Sequence, residues 1–396
     1  MTLILSSCIM VFPEGLEETE HNTLPEEATL TTTEATSLIP EPETLFSDTD
    51  EFSMLKEKTD AICASYGAVG VQAAIIKDGK LYGTYEYGIA EKAQGKKVTS
   101  DTKFRVASLS KLVTDMVFLR LCEEGLTDIN GDISTYLGFS VRSPYYPDTA
   151  ITPAMLMSHT SSIIDTESFL NSRLTGSSSS IETLLSSASA FSGARPGSSY
   201  SYSNFSVALI GSICEKVTGI NFDDLAKKYI FEPAETDASY TASGLKDPSL
   251  VGALYGSGGY SVEQQLNERF HPEIGRTHHL VQGNLTISAK DYITIAAALC
   301  NEGVTANGVR ILNKSSIDTI LNDPVGFGHV KNSDAIEGKT LCTHTGSNFG
   351  MFSAFAIDPE SGNGVAVLTS GAPGTKYNSA DIYDICLEII RVFYPD

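Results

Sequence analysis

Segments with strand patterns lie towards both ends of the chain, and helical patterns fill most of the part between them. Residues 69–89 carry apolar residues on both sides of Asp78-Gly79, which is typical of a β-hairpin. Residues 344–370 contain two further strand patterns. A sheet assembled from both ends leaves the middle of the chain as an insertion. The order therefore predicts an α+β fold with a mainly helical insertion at about 126–289 and a cleft where the two parts meet.

Helical periodicity accounts for much of the remaining chain. One helix is predicted before the hairpin at 51–65, one after it at 111–124, and one at the C-terminal end at 380–393. Further helical patterns lie at 181–190, 206–217, 222–230 and 292–301.

The first 52 residues hold twelve Asp or Glu and neither Lys nor Arg, so they carry −12 of the formal net charge of −22. Glu, Thr and Pro dominate residues 13–50, and this composition cannot bury enough apolar area to offset chain entropy. We expect residues 1–51 to form a disordered acidic tether and residues 52–396 to form the folded domain. Nucleic acid is not an expected partner, because no Lys/Arg cluster exceeds a pair of lysines.

The N-terminal residues contain a candidate lipid anchor. Leu5-Ser-Ser-Cys8 resembles the lipobox of bacterial lipoprotein precursors, which are cut before a cysteine that then receives lipid. The resemblance implies an anchor at Cys8 and an extracytoplasmic location, either tethered to a membrane or secreted. An untargeted disordered terminus is the alternative, because no positive charge precedes Cys8 and the apolar stretch is short. No run of about 18 apolar residues predicts a membrane-spanning helix.

The cysteines and the pair His278-His279 predict neither a metal site nor a disulfide framework. The seven cysteines form no C-x-x-C pair, and most have the apolar neighbours of small buried hydrophobic residues. His278-His279 has no carboxylate at metal-ligand spacing.

Three Ser-x-x-Lys sequences begin at Ser53, Ser108 and Ser243. A serine hydroxyl is a weak nucleophile unless a base lies beside it, and a buried lysine one helical turn away can activate it. Only Ser108 opens a long apolar helix, which places Lys111 on the same face and leaves free N–H groups for a developing oxyanion. Ser53 adjoins the acidic tether, and Ser243 lies in a loop. Ser108 with Lys111 is therefore the candidate catalytic pair.

Two further motifs follow in the order that an acylating serine hydrolase requires. Tyr202-Ser-Asn204 precedes a helical run, where a phenol can relay a proton and an amide can hold a carbonyl. A loop tyrosine beside a helix-capping asparagine is the plain alternative. His344-Thr-Gly346 enters a strand, where the glycine lets a substrate backbone lie against the edge. An ordinary strand start is the alternative there.

With these three motifs in this order, the chain resembles the penicillin-recognising serine hydrolases. These include class C β-lactamases, soluble DD-carboxypeptidases, and related esterases and D-aminopeptidases, and the Ser-x-x-Lys signature is typical of them. The resemblance covers roughly residues 52–394 and includes the segments 104–108, 155–160, 196–197, 211–219, 231–233, 288–291 and 356–359. It implies an antiparallel five-stranded sheet flanked by helices, a small-molecule or peptide substrate, and no metal or organic cofactor.

The resemblance also assigns catalytic roles to the first two motifs. It makes Ser108 the nucleophile and Lys111 its activating neighbour. Tyr202 becomes the general base and then the general acid. Asn204 is expected to contact both the substrate and Lys111, whereas His159 is expected to belong to a structural loop.

The third motif is expected to bind substrate. His344 and Thr345, followed by Gly346 and Ser347, would line the carboxylate side of the cleft, and the backbone N–H groups of Ser108 and Ser347 would form the oxyanion hole.

The histidine at position 344 bears on the substrate. Class C β-lactamases usually have lysine there, whereas His344 resembles the form found in soluble DD-peptidases. The sequence therefore favours D-alanyl-D-alanine-type peptides. An esterase, a D-aminopeptidase or a β-lactamase of the same fold is the alternative, and a non-catalytic penicillin- or peptide-binding sensor domain is an alternative of another class.

Overall fold

A computed structural model describes residues 49–175, 179–270, 273–276, 279–323, 331–333, 335–378 and 381–395. By internal contacts the chain divides into Met1–Glu43 and Thr44–Asp396. The first unit lies outside the described residues, as do the lipobox-like sequence and nearly all of the predicted tether.

The predicted boundary at residue 52 is displaced by two residues. Helix α1 begins at Asp50, and the side chain of Thr49 caps it by accepting a hydrogen bond of 3.1 Å from the N–H of Phe52. Asp50 and Glu51 therefore belong to the first helical turn, where the helix dipole favours acidic side chains, and not to the tether.

The described part of the chain contains nine strands and twelve α-helices. The strands are β1 (Gly70–Lys77), β2 (Lys80–Glu91), β3 (Lys96–Lys97), β4 (Phe104–Arg105), β5 (Thr286–Ile287), β6 (Lys331–Ser333), β7 (Leu341–Asn348), β8 (Met351–Ile357) and β9 (Gly364–Ser370). The helices are α1 (Asp50–Ser65), α2 (Ser110–Glu123), α3 (Ile133–Leu137), α4 (Pro153–Met157), α5 (Glu167–Thr175), α6 (Ile181–Leu185), α7 (Asn204–Thr218), α8 (Phe222–Ala226), α9 (Val262–Asn267), α10 (Ala289–Ala296), α11 (Lys314–Leu321) and α12 (Asp384–Phe393).

The main sheet is antiparallel and joins the two ends of the domain, as predicted. Its strand order is β3-β2-β1-β9-β8-β7-β6, and Gly70 of β1 lies opposite Ser370 of β9. Asp78 and Gly79 form the turn between β1 and β2 with φ angles of 50° and 73°, which suit a two-residue hairpin.

The expectation of five strands was wrong. Strands β2, β1, β9, β8, β7 and β6 make up the sheet, and β3 extends it at the edge of β2. Strands β3 and β6 have two and three residues, and such short strands leave no periodic pattern in a sequence.

Both faces of the sheet are buried. Along β1, Val71 and Ile75 pack into a core shared with residues of α1 and α12, whereas Ala74 and Ile76 point into a second core that contains residues of α2 and α10. This alternation follows from the two-residue period of a strand.

The helices α3 to α9 lie between the two halves of the sheet in sequence. Helix α7 is buried from Phe205 to Glu215 and packs against α2. The predicted helix at 181–190 is broken: α6 ends at Leu185, and the Ser187 hydroxyl accepts from the N–H of Ser189 to begin a separate 3₁₀ turn. Serine side chains compete with helical hydrogen bonds in this way.

In the part of the chain that the structure describes, no single helix has the length and hydropathy to cross a membrane. Only α7 taken together with Phe222–Phe231 meets that test, and these two segments are bent by 84° relative to each other.

Candidate active site

The turn that carries Ser108 is strained and firmly held. Ser108 lies in a 3₁₀ turn, Ala107–Leu109, immediately before α2, and Ala107 has a φ of 51°. A non-glycine residue in this left-handed region costs about 1–2 kcal/mol. The Ser110 hydroxyl donates to the Ala107 carbonyl at 2.6 Å and accepts from the N–H of Leu285 at 3.0 Å. These contacts hold Ser108 at the N-terminal end of α2, where the sequence placed it.

Lys111 lies one helical turn after Ser108, and its side chain is fully buried. Its Nζ donates to Ser108 Oγ at 3.1 Å and to the carbonyl of Gln282 at 2.5 Å. Because a helix brings residues three apart onto one face, the sequence spacing alone produces the first contact. The second comes from the loop before β5 and has no signal in the sequence.

Tyr202 completes the group around the serine. Its Oη is 2.9 Å from Ser108 Oγ, and Lys111 Nζ is 5.3 Å from the centroid of its ring. The tyrosine is 42% exposed, so solvent and substrate can reach its hydroxyl. The structure thus brings the three predicted catalytic residues together around one oxygen atom.

His159 holds the backbone on both sides of Tyr202. Its carbonyl accepts from the N–H of Ser201 at 2.8 Å, and its Nδ1 accepts from the N–H of Ser203 at 3.1 Å. The imidazole also lies against the tyrosine, with ring centroids 4.8 Å apart. An accepting Nδ1 places the proton of a neutral imidazole on Nε2. These contacts give His159 a structural role in positioning the tyrosine.

Asn204 makes a contact that the sequence did not indicate. It is the first residue of α7, and its Nδ2 donates to Asp165 Oδ2 at 2.8 Å. The other carboxylate oxygen of Asp165 accepts from the N–H of Phe205 at 2.8 Å, so Asp165 fixes the start of the helix. Asn204 is not among the described residues that line the cleft. Its predicted contacts with the substrate and with Lys111 stay predictions.

Strand β7 passes directly beside Ser108. An ideal Cβ placed on Gly346 would lie 2.6 Å from the Val106 carbonyl and 2.9 Å from the backbone nitrogen of Ser108. Only glycine allows this approach. Ser347, the next residue of the strand, lines the cleft together with Ser108.

The cleft in front of Ser108 has a volume of about 310 Å³. Its walls come from the Tyr202 segment, from β7 and from the residues before α12: Ser108, Tyr200, Tyr202, Thr343, His344, Thr345, Gly346, Ser347, Tyr377, Asp381 and Tyr383. Six of these were predicted as site residues: Ser108, Tyr202, His344, Thr345, Gly346 and Ser347. His344 is only 8% exposed, so its side chain forms part of the cleft wall and little of the protein surface.

Sequence reasoning missed five residues of the cleft: Tyr200, Thr343, Tyr377, Asp381 and Tyr383. Thr343 directly precedes the predicted His344. Tyr200 could have been found from its place two residues before Tyr202. Tyr377, Asp381 and Tyr383 belong to no recognisable motif. They line the cleft because the segment before α12 lies beside it in the folded protein. Burial raises the pKa of Tyr200 to about 12, and electrostatic interactions with Tyr202, Tyr377 and Asp381 add to that shift.

Asp115 is a second buried ionisable group near the candidate site. It lies one turn after Lys111 on α2, is fully buried, and neither carboxylate oxygen has a hydrogen-bond partner among the described residues. Burial raises the pKa of this carboxyl well above its ordinary value, and the charge of Lys111 opposes the rise.

The other two Ser-x-x-Lys sequences lie away from the cleft. Lys56 forms an ion pair of 2.8 Å with Asp60 on the surface of α1. Ser243 lies in a 3₁₀ turn, and the backbone N–H of Lys246 donates to Asp237 at 2.8 Å. Neither pair lines the cleft as described.

The geometry around Ser108 is that of an activated nucleophile. Its hydroxyl lies within hydrogen-bonding distance of the Tyr202 oxygen and of the Lys111 nitrogen, two groups that can exchange protons with it. Ser108 lies at the start of a helix, where backbone N–H groups have no intrahelical partner, and β7 passes next to it. This arrangement is suited to acyl transfer.

Comparison with known proteins gives consistent matches. The family model described as Beta-lactamase matches residues 53–387. Penicillin-binding protein 4 of Amycolatopsis lactamdurans is 25% identical over 355 residues, which are 86% of this chain and 91% of that protein. The D-alanyl-D-alanine-carboxypeptidase/endopeptidase AmpH of Escherichia coli is 31% identical over 136 residues, 34% of each chain. The octameric penicillin-binding protein homologue from Pyrococcus abyssi has a similar fold, with a TM-score of 0.67 at 21% identity over 86% of this chain and 76% of that one.

Proposed function

The chain belongs to the beta-lactamase family, and on that premise we propose that it is a serine hydrolase that cleaves D-alanyl-D-alanine-type peptides through an acyl-enzyme on Ser108. One observation carries the proposal. Ser108 Oγ lies 2.9 Å from Tyr202 Oη and 3.1 Å from Lys111 Nζ at the wall of an open cleft.

In the proposed reaction, Tyr202 reacts as the phenolate, whose negative charge the ammonium group of Lys111, held against Gln282, stabilises. Ser108 Oγ attacks the substrate carbonyl while its proton passes to Tyr202 Oη, so that Tyr202 becomes neutral and the negative charge moves to the substrate oxygen. The N–H groups of Ser108 and Ser347 stabilise the oxyanion. Tyr202 then donates the proton to the leaving group. In the second step a water molecule attacks the acyl carbonyl while Tyr202 takes a proton from it, and this proton passes to Ser108 Oγ as the acyl group leaves.

D-alanyl peptides are favoured for two reasons. His344 stands where class C β-lactamases usually have lysine, and the relatives described above include a penicillin-binding protein and a D-alanyl-D-alanine-carboxypeptidase/endopeptidase. An esterase, D-aminopeptidase or β-lactamase of the same fold is the second candidate, because the Ser108–Tyr202–Lys111 group suits any activated acyl donor. A non-catalytic penicillin- or peptide-binding sensor domain differs from all of these, since it would bind without turnover.

A substrate panel distinguishes these functions. The native protein and Ser108→Ala are compared on a D-alanyl-D-alanine peptide, short p-nitrophenyl esters and nitrocefin. Turnover of the peptide that is lost in Ser108→Ala supports the proposal. Turnover of the esters or nitrocefin alone identifies one of the related enzymes, and binding without turnover by the native protein identifies a sensor.

We also propose that the protein is extracytoplasmic and lipid-anchored through Cys8. Metabolic labelling of the full chain with a fatty acid in a bacterial host tests this directly. Label in the native protein but not in Cys8→Ser is the expected result, and equal absence of label from both contradicts it.

A further inference from the structure

The cleft carries one full negative charge among aromatic side chains. Of the described residues that line it, Asp381 is the only Asp, Glu, Lys or Arg. The lining also includes four tyrosines, Tyr200, Tyr202, Tyr377 and Tyr383. A carboxylate beside tyrosine rings is the arrangement that attracts an organic cation, because the carboxylate pairs with the charge and the ring faces attract it.

We propose that Asp381, Tyr200 and Tyr377 form an ammonium subsite, so that the enzyme prefers substrates with a free primary amine over the same substrates with that amine acetylated. This proposal rests on the proposed function, because it assigns part of the substrate of the same cleft. It goes further by stating the charge that the substrate carries beside the scissile bond.

Local hydrogen bonds hold the backbone at Asp381, which lines the cleft. Asp381 has a φ of 58°, a conformation that aspartate tolerates better than most residues. Its N–H donates to the Asn378 carbonyl at 3.1 Å. The Asn378 side chain accepts from the N–H of Ile382 at 3.4 Å and donates to Asp384 at 3.1 Å, at the start of α12. Asp381 is therefore held by a local network anchored on a helix.

The tyrosines offer accessible ring surface at the same place. Tyr200 and Tyr202 are each 42% exposed and Tyr377 is 53% exposed, although large apolar or aromatic side chains are normally covered. Tyr377 packs edge-on against Tyr383 with ring centroids 5.2 Å apart. Tyr200, Tyr377 and Asp381 line the same cleft, and the negative charge of Asp381 contributes to the raised pKa values of both phenols.

An ammonium group on the acyl part of a D-alanyl peptide is compatible with this cleft. Such a peptide carries its terminal carboxylate on the leaving group, so the two charges lie on opposite sides of the scissile bond. A substrate that carries only negative charge would be repelled by the Asp381 carboxylate.

The test uses substrate pairs that differ only in one acetyl group. Nα-acetyl-L-lysyl-D-alanyl-D-alanine is compared with its Nα,Nε-diacetyl form, and p-nitrophenyl 6-aminohexanoate is compared with its N-acetyl form. The native protein is expected to show a kcat/KM about tenfold higher for the amine-bearing member of each pair, as a partly exposed charge pair with cation–π contacts would give. High ionic strength should reduce the ratio.

Asp381→Asn should bring that ratio close to one by slowing only the amine-bearing substrates. Asp148→Asn is the matched control, because it removes the same charge from an exposed residue that does not line the cleft. A ratio near one in the native protein, or an unchanged ratio in Asp381→Asn, overturns the subsite.

Calorimetric binding of the peptide pair to Ser108→Ala separates the two proposals. Absence of turnover in the native protein with a retained affinity preference counts against the proposed function alone. Equal affinities for the two peptides, or no binding of either, overturn the subsite whether or not turnover occurs.

Discussion

Replacement of Gly346 by alanine tests the proposed oxyanion geometry without removing any catalytic side chain. The added Cβ would lie 2.6 Å from the Val106 carbonyl and 2.9 Å from the Ser108 nitrogen, whereas ordinary van der Waals contact begins at 3.4 Å. Strand β7 must therefore move away from the serine by up to about 0.8 Å. A misplacement of this size is expected to slow acylation by about 10²-fold and to reduce stability by about 1–3 kcal/mol.

The assay is the rate of covalent acylation, followed by stopped-flow fluorescence with a labelled penicillin or by the burst from a p-nitrophenyl ester. Circular dichroism and the Tm establish that the variant is folded at the assay temperature. Gly193→Ala is the control, because a Cβ at that exposed glycine meets no heavy atom within 4 Å. If folded Gly346→Ala acylates within about threefold of the native rate, the close approach of β7 to Ser108 does not form the oxyanion site.

Three further substitutions test separate parts of the account. Tyr202→Phe should keep the cleft but lower acylation by roughly 10²- to 10⁴-fold, because the proton relay is lost, and a native single-turnover rate would leave Lys111 as the only base. Asp115→Asn should raise the Tm, and the increase should grow as the pH rises from about 4 to neutral. Burial raises the pKa of Asp115 in the folded state, so the folded protein binds this proton more tightly than the unfolded chain does. The native protein therefore loses stability as the pH rises through that interval, whereas the asparagine variant does not. A less stable variant at neutral pH would show instead that the charged carboxylate stabilises Lys111. His344→Lys should speed acylation by carboxylate-bearing substrates several-fold, because the lysine ammonium group adds a positive charge at this wall of the cleft, and leave neutral esters unchanged; equal responses would argue against carboxylate recognition at this position.

The parts of the site that were predictable from the sequence depend on local spacing. Ser108 and Lys111 meet because a helix places residues three apart on one face, and the long apolar run after Ser108 indicates that helix. Gly346 could be identified because only glycine allows a strand to pass so close to another backbone. The hairpin at Asp78-Gly79 was predictable because these two turn residues lie between two strand patterns.

The rest of the site depends on contacts between segments far apart in sequence. Asp381 and Tyr377 reach the cleft from the residues before α12, where no periodic pattern or motif marks them. Asp165 accepts a hydrogen bond from Asn204 across 39 positions, and no local pattern in the sequence indicates this contact. The short strands β3 and β6 were missed because pairing with a neighbouring strand, and not their own sequence, makes them strands.

Identification of the acylated residue tests the central claim most directly. The native protein and Ser108→Ala are incubated with a fluorescent penicillin and with a p-nitrophenyl ester, quenched in acid, digested and examined by mass spectrometry. The account predicts a label on Ser108 in the native protein, no label in Ser108→Ala, an unchanged Tm, and a loss of hydrolysis of at least ~10³-fold. A label on another residue such as Ser110, or substantial turnover by folded Ser108→Ala, would contradict it.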